Sequence, residues 1–171
     1  MSAADALTLF RAVAGVPIFV ALGYGERTVA LAIFVAAALS DALDGVLARR
    51  SGTAEGHGVL FDPLADKVLI VLTVIALALG GAAPVGIVAI VVLREIVVGV
   101  WRVQTHRNGS QMHAQVAAKV KTACEMAAVM LLIAPPTPLA GEVGAALLTT
   151  AALIGIVTLP TYVPHMRRRF T

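Results

Sequence analysis

Apolar residues gather along this chain into six long runs, separated by short polar or Gly/Pro breaks. The runs predict helices over 7–24, 28–49, 60–80, 84–105, 115–134 and 141–163. Each approaches the roughly 20 residues that an α-helix needs to cross a bilayer. Gly23 to Arg27, Gly80 to Pro84 and Ala134 to Pro138 make one set of breaks. Arg50 to Gly58 and His106 to His113 make a second, more polar set. No repeat of solenoid length and no low-complexity tract interrupts the series.

Composition narrows the reading. Of the 171 residues, 59% are apolar and 13% are charged, against about 25% charged in an ordinary soluble domain. There is too little charge to coat a water-facing globule. The expected fold is an all-α integral membrane protein with six transmembrane helices, built as a single domain over 1–171. Cys124 is the lone cysteine, which excludes an intrachain disulfide and a cysteine-based zinc site. Asp5 and the lack of an N-terminal basic stretch argue against a cleaved signal peptide.

The cations sort to one side. With six spans, both termini and the second and fourth loops share a face. That face and its adjoining helix ends hold Arg11, Arg49, Arg50, Lys67, Arg94, Arg102, Arg107, Lys119, Lys121, Arg167, Arg168 and Arg169. Arg27 alone falls on the other, so twelve of the 13 basic residues lie together. Such a bias places both termini in the cytoplasm. Basic residues scattered among bilayer-length runs also argue against a nucleic-acid partner.

Four aspartates stand where a membrane helix avoids them. Asp41 and Asp44 are spaced i,i+3 near the end of the second run, and Asp62 and Asp66 are spaced i,i+4 at the start of the third. An aspartate at mid-bilayer costs about 2.5–3.5 kcal/mol on insertion scales, less toward the interface. Each pair faces one direction on its helix. Four converging carboxylates call for bound divalent cations, and all-oxygen ligands favour Mg²⁺, Mn²⁺ or Ca²⁺ over zinc. The plainer alternative is four separate interfacial aspartates, solvated or paired with Arg49, Arg50 or Lys67. Gly45 beside Asp44, and Gly58 just before the third run, favour a site that a ligand approaches closely.

These residues spell D-x-x-D-G-x-x-A-R-x8-G-x3-D-x3-D from Asp41 to Asp66. The spelling resembles, without a gap, the signature of the CDP-alcohol phosphatidyltransferase family, and the six-helix layout extends the likeness along the chain. The resemblance implies a homodimeric membrane enzyme that displaces CMP from a CDP-linked lipid with an alcohol, using two divalent cations, Mg²⁺ or Mn²⁺. It implies that Asp41, Asp44, Asp62 and Asp66 bind the metals and that Asp66 takes the acceptor's proton. Thr8, Gly45, Ala48, Arg49 and Gly58 would lie along the cytidine diphosphate. The enzyme would sit in the inner (plasma) membrane with its site facing the cytoplasm.

The acceptor is the finer question. Arg94 and Glu95 fall near the middle of the fourth run, with Arg102 beyond them. At roughly 100° per residue, Glu95 and Arg102 lie within about 20° of one another. Lys119 and Lys121 point opposite ways at the start of the fifth run, so one of them faces inward. These charges read either as snorkelling lysines with a Glu95–Arg102 structural pair, or as a basic pocket for an acceptor phosphate. Asp62 to Lys67, Arg94-Glu95-Ile96 with Arg102, and Lys119 to Thr122 resemble the phosphatidylglycerophosphate synthase branch. That likeness implies CDP-diacylglycerol and sn-glycerol 3-phosphate as substrates, with Arg94, Arg102, Lys119 and Lys121 holding the acceptor phosphate. Leu7 to Arg11 resembles the branch's N-terminal element, with Asp5 in place of its usual asparagine. Phosphatidylglycerol and inositol phosphate are alternative acceptors.

The four histidines are not spaced as a metal cluster. Trp101 reads as packing or an interfacial anchor, and Arg167 to Arg169 as a contact to anionic lipid. A cation transporter is the competing class. The aspartates gather at one face instead of mid-membrane, and no inverted repeat supplies a second half-site.

Overall fold

A computed structural model describes the backbone of residues 3–51, 62–107 and 116–162, and the side chains of 10–11, 13–40, 67–101 and 116–160. All regular structure among these residues is helical. Helix α1 spans Ala3–Gly23, α2 Arg27–Ser51, α3 Asp62–Leu79, α4 Val85–Arg107, α5 Val116–Ile133 and α6 Pro138–Thr158. A 3₁₀ turn, Leu159–Tyr162, follows α6. Six helices therefore stand where six apolar runs predict them. The largest displacements are at α1, which begins four residues before its run, and α6, which begins and ends earlier than 141–163.

Local chemistry explains the ends. Thr137 caps α6 in an extended conformation, its hydroxyl accepting from the Ala140 amide at 3.2 Å, with Pro138 in the first turn. Proline there loses no helical hydrogen bond. Two turns close on glycine. The Glu26 amide reaches Ala21 O and the Gly25 amide reaches Leu22 O, while Ala82 and Gly81 repeat the pattern on Leu77 and Ala78. These paired bonds satisfy the last carbonyls of α1 and α3 and require a left-handed residue. Gly25 (φ 79°) and Gly81 (φ 71°) supply it.

Packing follows the small residues. Helix α1 lies against α2 and α3, α5 against α6, and α4 against α3 and α6. The acid-bearing helices α2 and α3 share α1 and α5 as neighbours, and their direct contact is slight among the described residues. Gly15 lets α1 close on α3: a Cβ there would stand 2.9 Å from Leu72 Cδ1. Gly144 does the same for α5 and α6, where a Cβ would meet Leu132 Cγ at 2.8 Å. Close backbone approach through small residues is the usual solution where the solvent is as apolar as the core. Ile18, Phe34, Leu69, Val74, Leu77, Val129, Ile133 and Leu148 fill the centre. Ser40, Thr73 and Thr158 are buried too, each hydroxyl bonding a carbonyl three or four residues back.

The outer faces stay apolar. Val13, Val16 and Val20 on α1, Leu93 and Ile96 on α4, and Leu153 and Val157 on α6 are all exposed. Continuous apolar surface of this kind marks contact with lipid or another chain. Among the described residues, α6 is the one helix long and apolar enough, by length and composition alone, to cross a membrane. Helices α1, α2 and α3 hold shorter apolar stretches, Val13–Gly23, Arg27–Ser40 and Lys67–Leu79.

Candidate functional site

The signature residues occupy the end of α2 and the start of α3. Asp41, Asp44, Gly45, Ala48 and Arg49 lie on the last three turns of α2, and Asp62 and Asp66 on the first two of α3. Thr8 is on α1 and Arg102 on α4. Their side chains, and Gly58 altogether, lie outside the described residues, as does His57. Helix periodicity keeps Asp41 with Asp44, and Asp62 with Asp66, on common faces.

Lys67, the residue after Asp66, opens an ion cluster. Lys67 of α3 reaches across to α4, its ammonium 2.5 Å from Glu95 Oε2 and 3.3 Å from the Glu95 carbonyl. Arg94 Nη1 donates to Glu95 Oε1 at 2.5 Å, and Lys121 of α5 donates to the same oxygen. Glu95 thus holds three cations from three helices with its two carboxylate oxygens. Lys121 also lies 2.5 Å from Glu125 Oε1, one turn further along α5. That contact is ionic without hydrogen-bond alignment, so the oxygen keeps an open acceptor position.

The cluster is deep. Arg94, Glu95, Lys121 and Glu125 are all buried, while Lys67 is partly exposed and Lys119 points outward. Three cations against two carboxylates leave one net positive charge. Moving such ions out of water costs several kcal/mol each, repaid only by close pairing. Two atoms of the cluster, Arg94 Nε and Glu125 Oε1, are buried with no hydrogen-bond partner. Two glycines lie alongside the cation stems, at distances where a Cβ would make ordinary contact. A Cβ on Gly99 would sit 3.5 Å from Lys67 Cδ, and one on Gly155 would sit 3.4 Å from Arg94 Nε. Beside the cluster, Val68, Val71 and Leu72 of α3 and Ile96, Gly99 and Val100 of α4 line an open apolar pocket of about 340 Å³ that also touches Lys67 and Glu95.

Several expectations can now be placed. Of the lysine pair, Lys121 turns inward and Lys119 outward, as the 200° between them requires. Among the described side chains Glu95 is held by Lys67, Arg94 and Lys121, while that of Arg102, its expected partner, lies outside them. Angular position on one helix could not show this, because two of the three partners come from other helices. Arg11, expected among the cations at a helix end, is buried at 1% exposure. Glu125 and the cross-helix reach of Lys67 were not foreseen. The signal for Glu125 was its i,i+4 spacing from Lys121 inside an apolar run. Among the described residues no three acidic, histidine or cysteine side chains group as a metal site.

Known proteins align with this arrangement along nearly its whole length. The CDP-alcohol phosphatidyltransferase family matches residues 1–159. A probable phosphatidylglycerophosphate synthase of Mycobacterium tuberculosis (strain CDC 1551 / Oshkosh) is 36% identical over 172 residues, spanning 96% of this chain and 80% of its own. A CDP-diacylglycerol–glycerol-3-phosphate 3-phosphatidyltransferase of Shigella flexneri serotype 5b is 31% identical, spanning 94% and 92%. One of Arabidopsis thaliana is 36% identical over 146 residues, spanning 75% and 62%. With the family signature on α2 and α3 and the match running into α6, the chain belongs to the CDP-alcohol phosphatidyltransferase family.

Proposed function

We propose that this protein transfers the phosphatidyl group of CDP-diacylglycerol to sn-glycerol 3-phosphate, giving phosphatidylglycerophosphate and CMP. The observation that carries the reading is the buried cluster of Lys67, Arg94 and Lys121 around Glu95, with a net positive charge, beginning one residue after Asp66. A phosphate-bearing acceptor needs such a site beside the reacting hydroxyl. Arg94 adds a buried Nε that lacks a partner, and a phosphate oxygen or a water is the natural acceptor for it. In this reading Arg94, Arg102 and Lys121 serve the acceptor phosphate, with Lys67 joining them, and Lys119, turned outward, does not.

The donor set fits divalent metals. Asp41, Asp44, Asp62 and Asp66 offer carboxylate oxygens alone, the ligands of Mg²⁺ and Mn²⁺, and would hold two such ions. When bound, the ions would neutralise the charge that builds on the pyrophosphate as CMP leaves. Asp66 takes the proton from the acceptor hydroxyl as that oxygen attacks the β-phosphorus. Thr8, Gly45, Ala48, Arg49 and Gly58 line the cytidine diphosphate, the glycines admitting it closely. Bringing both substrates together beside the four aspartates makes the displacement effectively unimolecular.

The same reading puts the six helices across the inner (plasma) membrane. Both termini and the aspartates face the cytoplasm, and the apolar outer faces meet lipid or the second subunit of a homodimer. The cation bias supports the orientation, since Arg27 alone opposes twelve others.

The test is CMP release from CDP-diacylglycerol by the purified protein with Mg²⁺ or Mn²⁺. Glycerol 3-phosphate, phosphatidylglycerol, inositol 1-phosphate and serine are offered singly. Turnover is expected with glycerol 3-phosphate and not without an acceptor. Turnover with phosphatidylglycerol or inositol 1-phosphate in its place would reassign the acceptor.

A further inference from the structure

Glu125 has no role in the chemistry just described, yet it is a carboxylate buried to 2% exposure inside an apolar helix. Its ionic partner is Lys121, which Glu95 already engages. Without Glu125 the cluster would hold three cations and one anion. With it, the surplus falls from two positive charges to one. Glu125 also stands one helical turn beyond Lys121, on the side away from the start of α5. The starts of α3 and α5 lie toward one end of the bundle, because Lys67, six residues into α3, and Lys121, six residues into α5, reach the same Glu95 carboxylate. An acceptor phosphate meets Lys121 from that end, and Glu125 draws the ammonium the opposite way.

Resting on the acceptor site proposed above, we propose that Glu125 is a positioning residue that weakens phosphate binding. It restrains the Lys121 ammonium and trims the positive potential of the site. The chemistry gives a reason for such a brake. Phosphatidylglycerophosphate keeps the phosphomonoester that glycerol 3-phosphate brought in. A pocket that grips the acceptor phosphate too tightly therefore also retains the product. A carboxylate one turn away lowers the affinity for both without touching either. Arg94 and Lys67 face Glu95 in the same way in either case, so the direct restraint falls on Lys121.

The experiment compares wild type, Glu125→Gln and Glu125→Met as full-length protein in detergent. Three quantities are read: the KM for glycerol 3-phosphate, the KM for CDP-diacylglycerol, and the equilibrium Kd of inorganic phosphate by calorimetry. Both variants are expected to lower the glycerol 3-phosphate KM and the phosphate Kd by about fivefold, the scale of removing one nearby charge in a partly screened site. The KM for CDP-diacylglycerol stays put. A purely structural counter-ion would change the melting temperature and leave the phosphate constants unmoved, which overturns the proposal. A rise in those constants, or loss of folded protein in both variants, overturns it as well. Failure of the underlying reading looks different: wild type that releases no CMP with glycerol 3-phosphate.

Discussion

The two ends of the helix bundle solve the same problem in opposite ways. At the end where α1 meets α2 and α5 meets α6, polar groups are satisfied by the backbone. Gly25 and Gly81 fold the last carbonyls of α1 and α3 back into hydrogen bonds, and Thr137 caps α6. Arg27 there donates to the carbonyls of Leu132 at 3.1 Å and Ala134 at 3.5 Å, so a lone cation closes the negative end of α5. At the other end Lys67, Arg94, Glu95, Lys121 and Glu125 satisfy one another through side chains and retain a net charge. Helix packing alone does not call for that. Gly15 and Gly144 already bring the helices close without ions. The contrast assigns the first end to architecture and the second to ligands, and substitutions should divide accordingly.

The largest expected effect is at the proposed base. Asp66→Asn should cut CMP release by about 10²–10⁴-fold, the usual contribution of a positioned base, with the melting temperature nearly unchanged. Undiminished turnover would remove Asp66 from that role. Next comes Glu95→Gln, which strips the shared carboxylate from three buried cations. Breaking a buried ion network by removing one member costs about 3–5 kcal/mol, so thermal unfolding in detergent should drop sharply. A stability near wild type would mean that the cations have other partners.

Gly144→Ala comes third. Its Cβ would stand 2.8 Å from Leu132 Cγ and 3.4 Å from the Ala128 carbonyl, which leaves only the leucine free to give. Overpacking of this order costs about 1–3 kcal/mol. The loss should appear in unfolding while the KM values hold. Smallest is Arg27→Gln, which removes the clasp on α5. It should cost about 1 kcal/mol and leave turnover as it was. A change in acceptor KM on this substitution would join the two ends that the structure keeps apart.

Much of this was legible in the sequence, and the rest was hidden for identifiable reasons. Periodic apolar runs and Gly/Pro breaks gave six helices because burial and backbone satisfaction are local in a membrane-like chain. That Lys119 and Lys121 face opposite ways follows from helical angle alone, whereas which of them turns inward depends on packing. Helix α6 starts at Pro138, three residues before its apolar run, because Thr137 and Pro138 sit in a Gly/Pro-type break yet carry the chemistry of a helix start. The partners of Glu95 were not legible. They depend on which helices pack together, and the lysine stems cross from α3 and α5 past small residues such as Gly99. Glu125 is hard to single out from sequence, because a lone carboxylate one turn from a lysine carries no motif.

The measurement that bears most directly on this division is the glycerol 3-phosphate KM of Arg94→Gln against wild type, with the CDP-diacylglycerol KM taken in parallel. If the buried cluster holds the acceptor phosphate, losing one charged donor should raise the first constant by about tenfold or more, the value of a charge-assisted hydrogen bond, and leave the second alone. If both constants match wild type, the cluster is architecture like the opposite end, and the acceptor binds elsewhere.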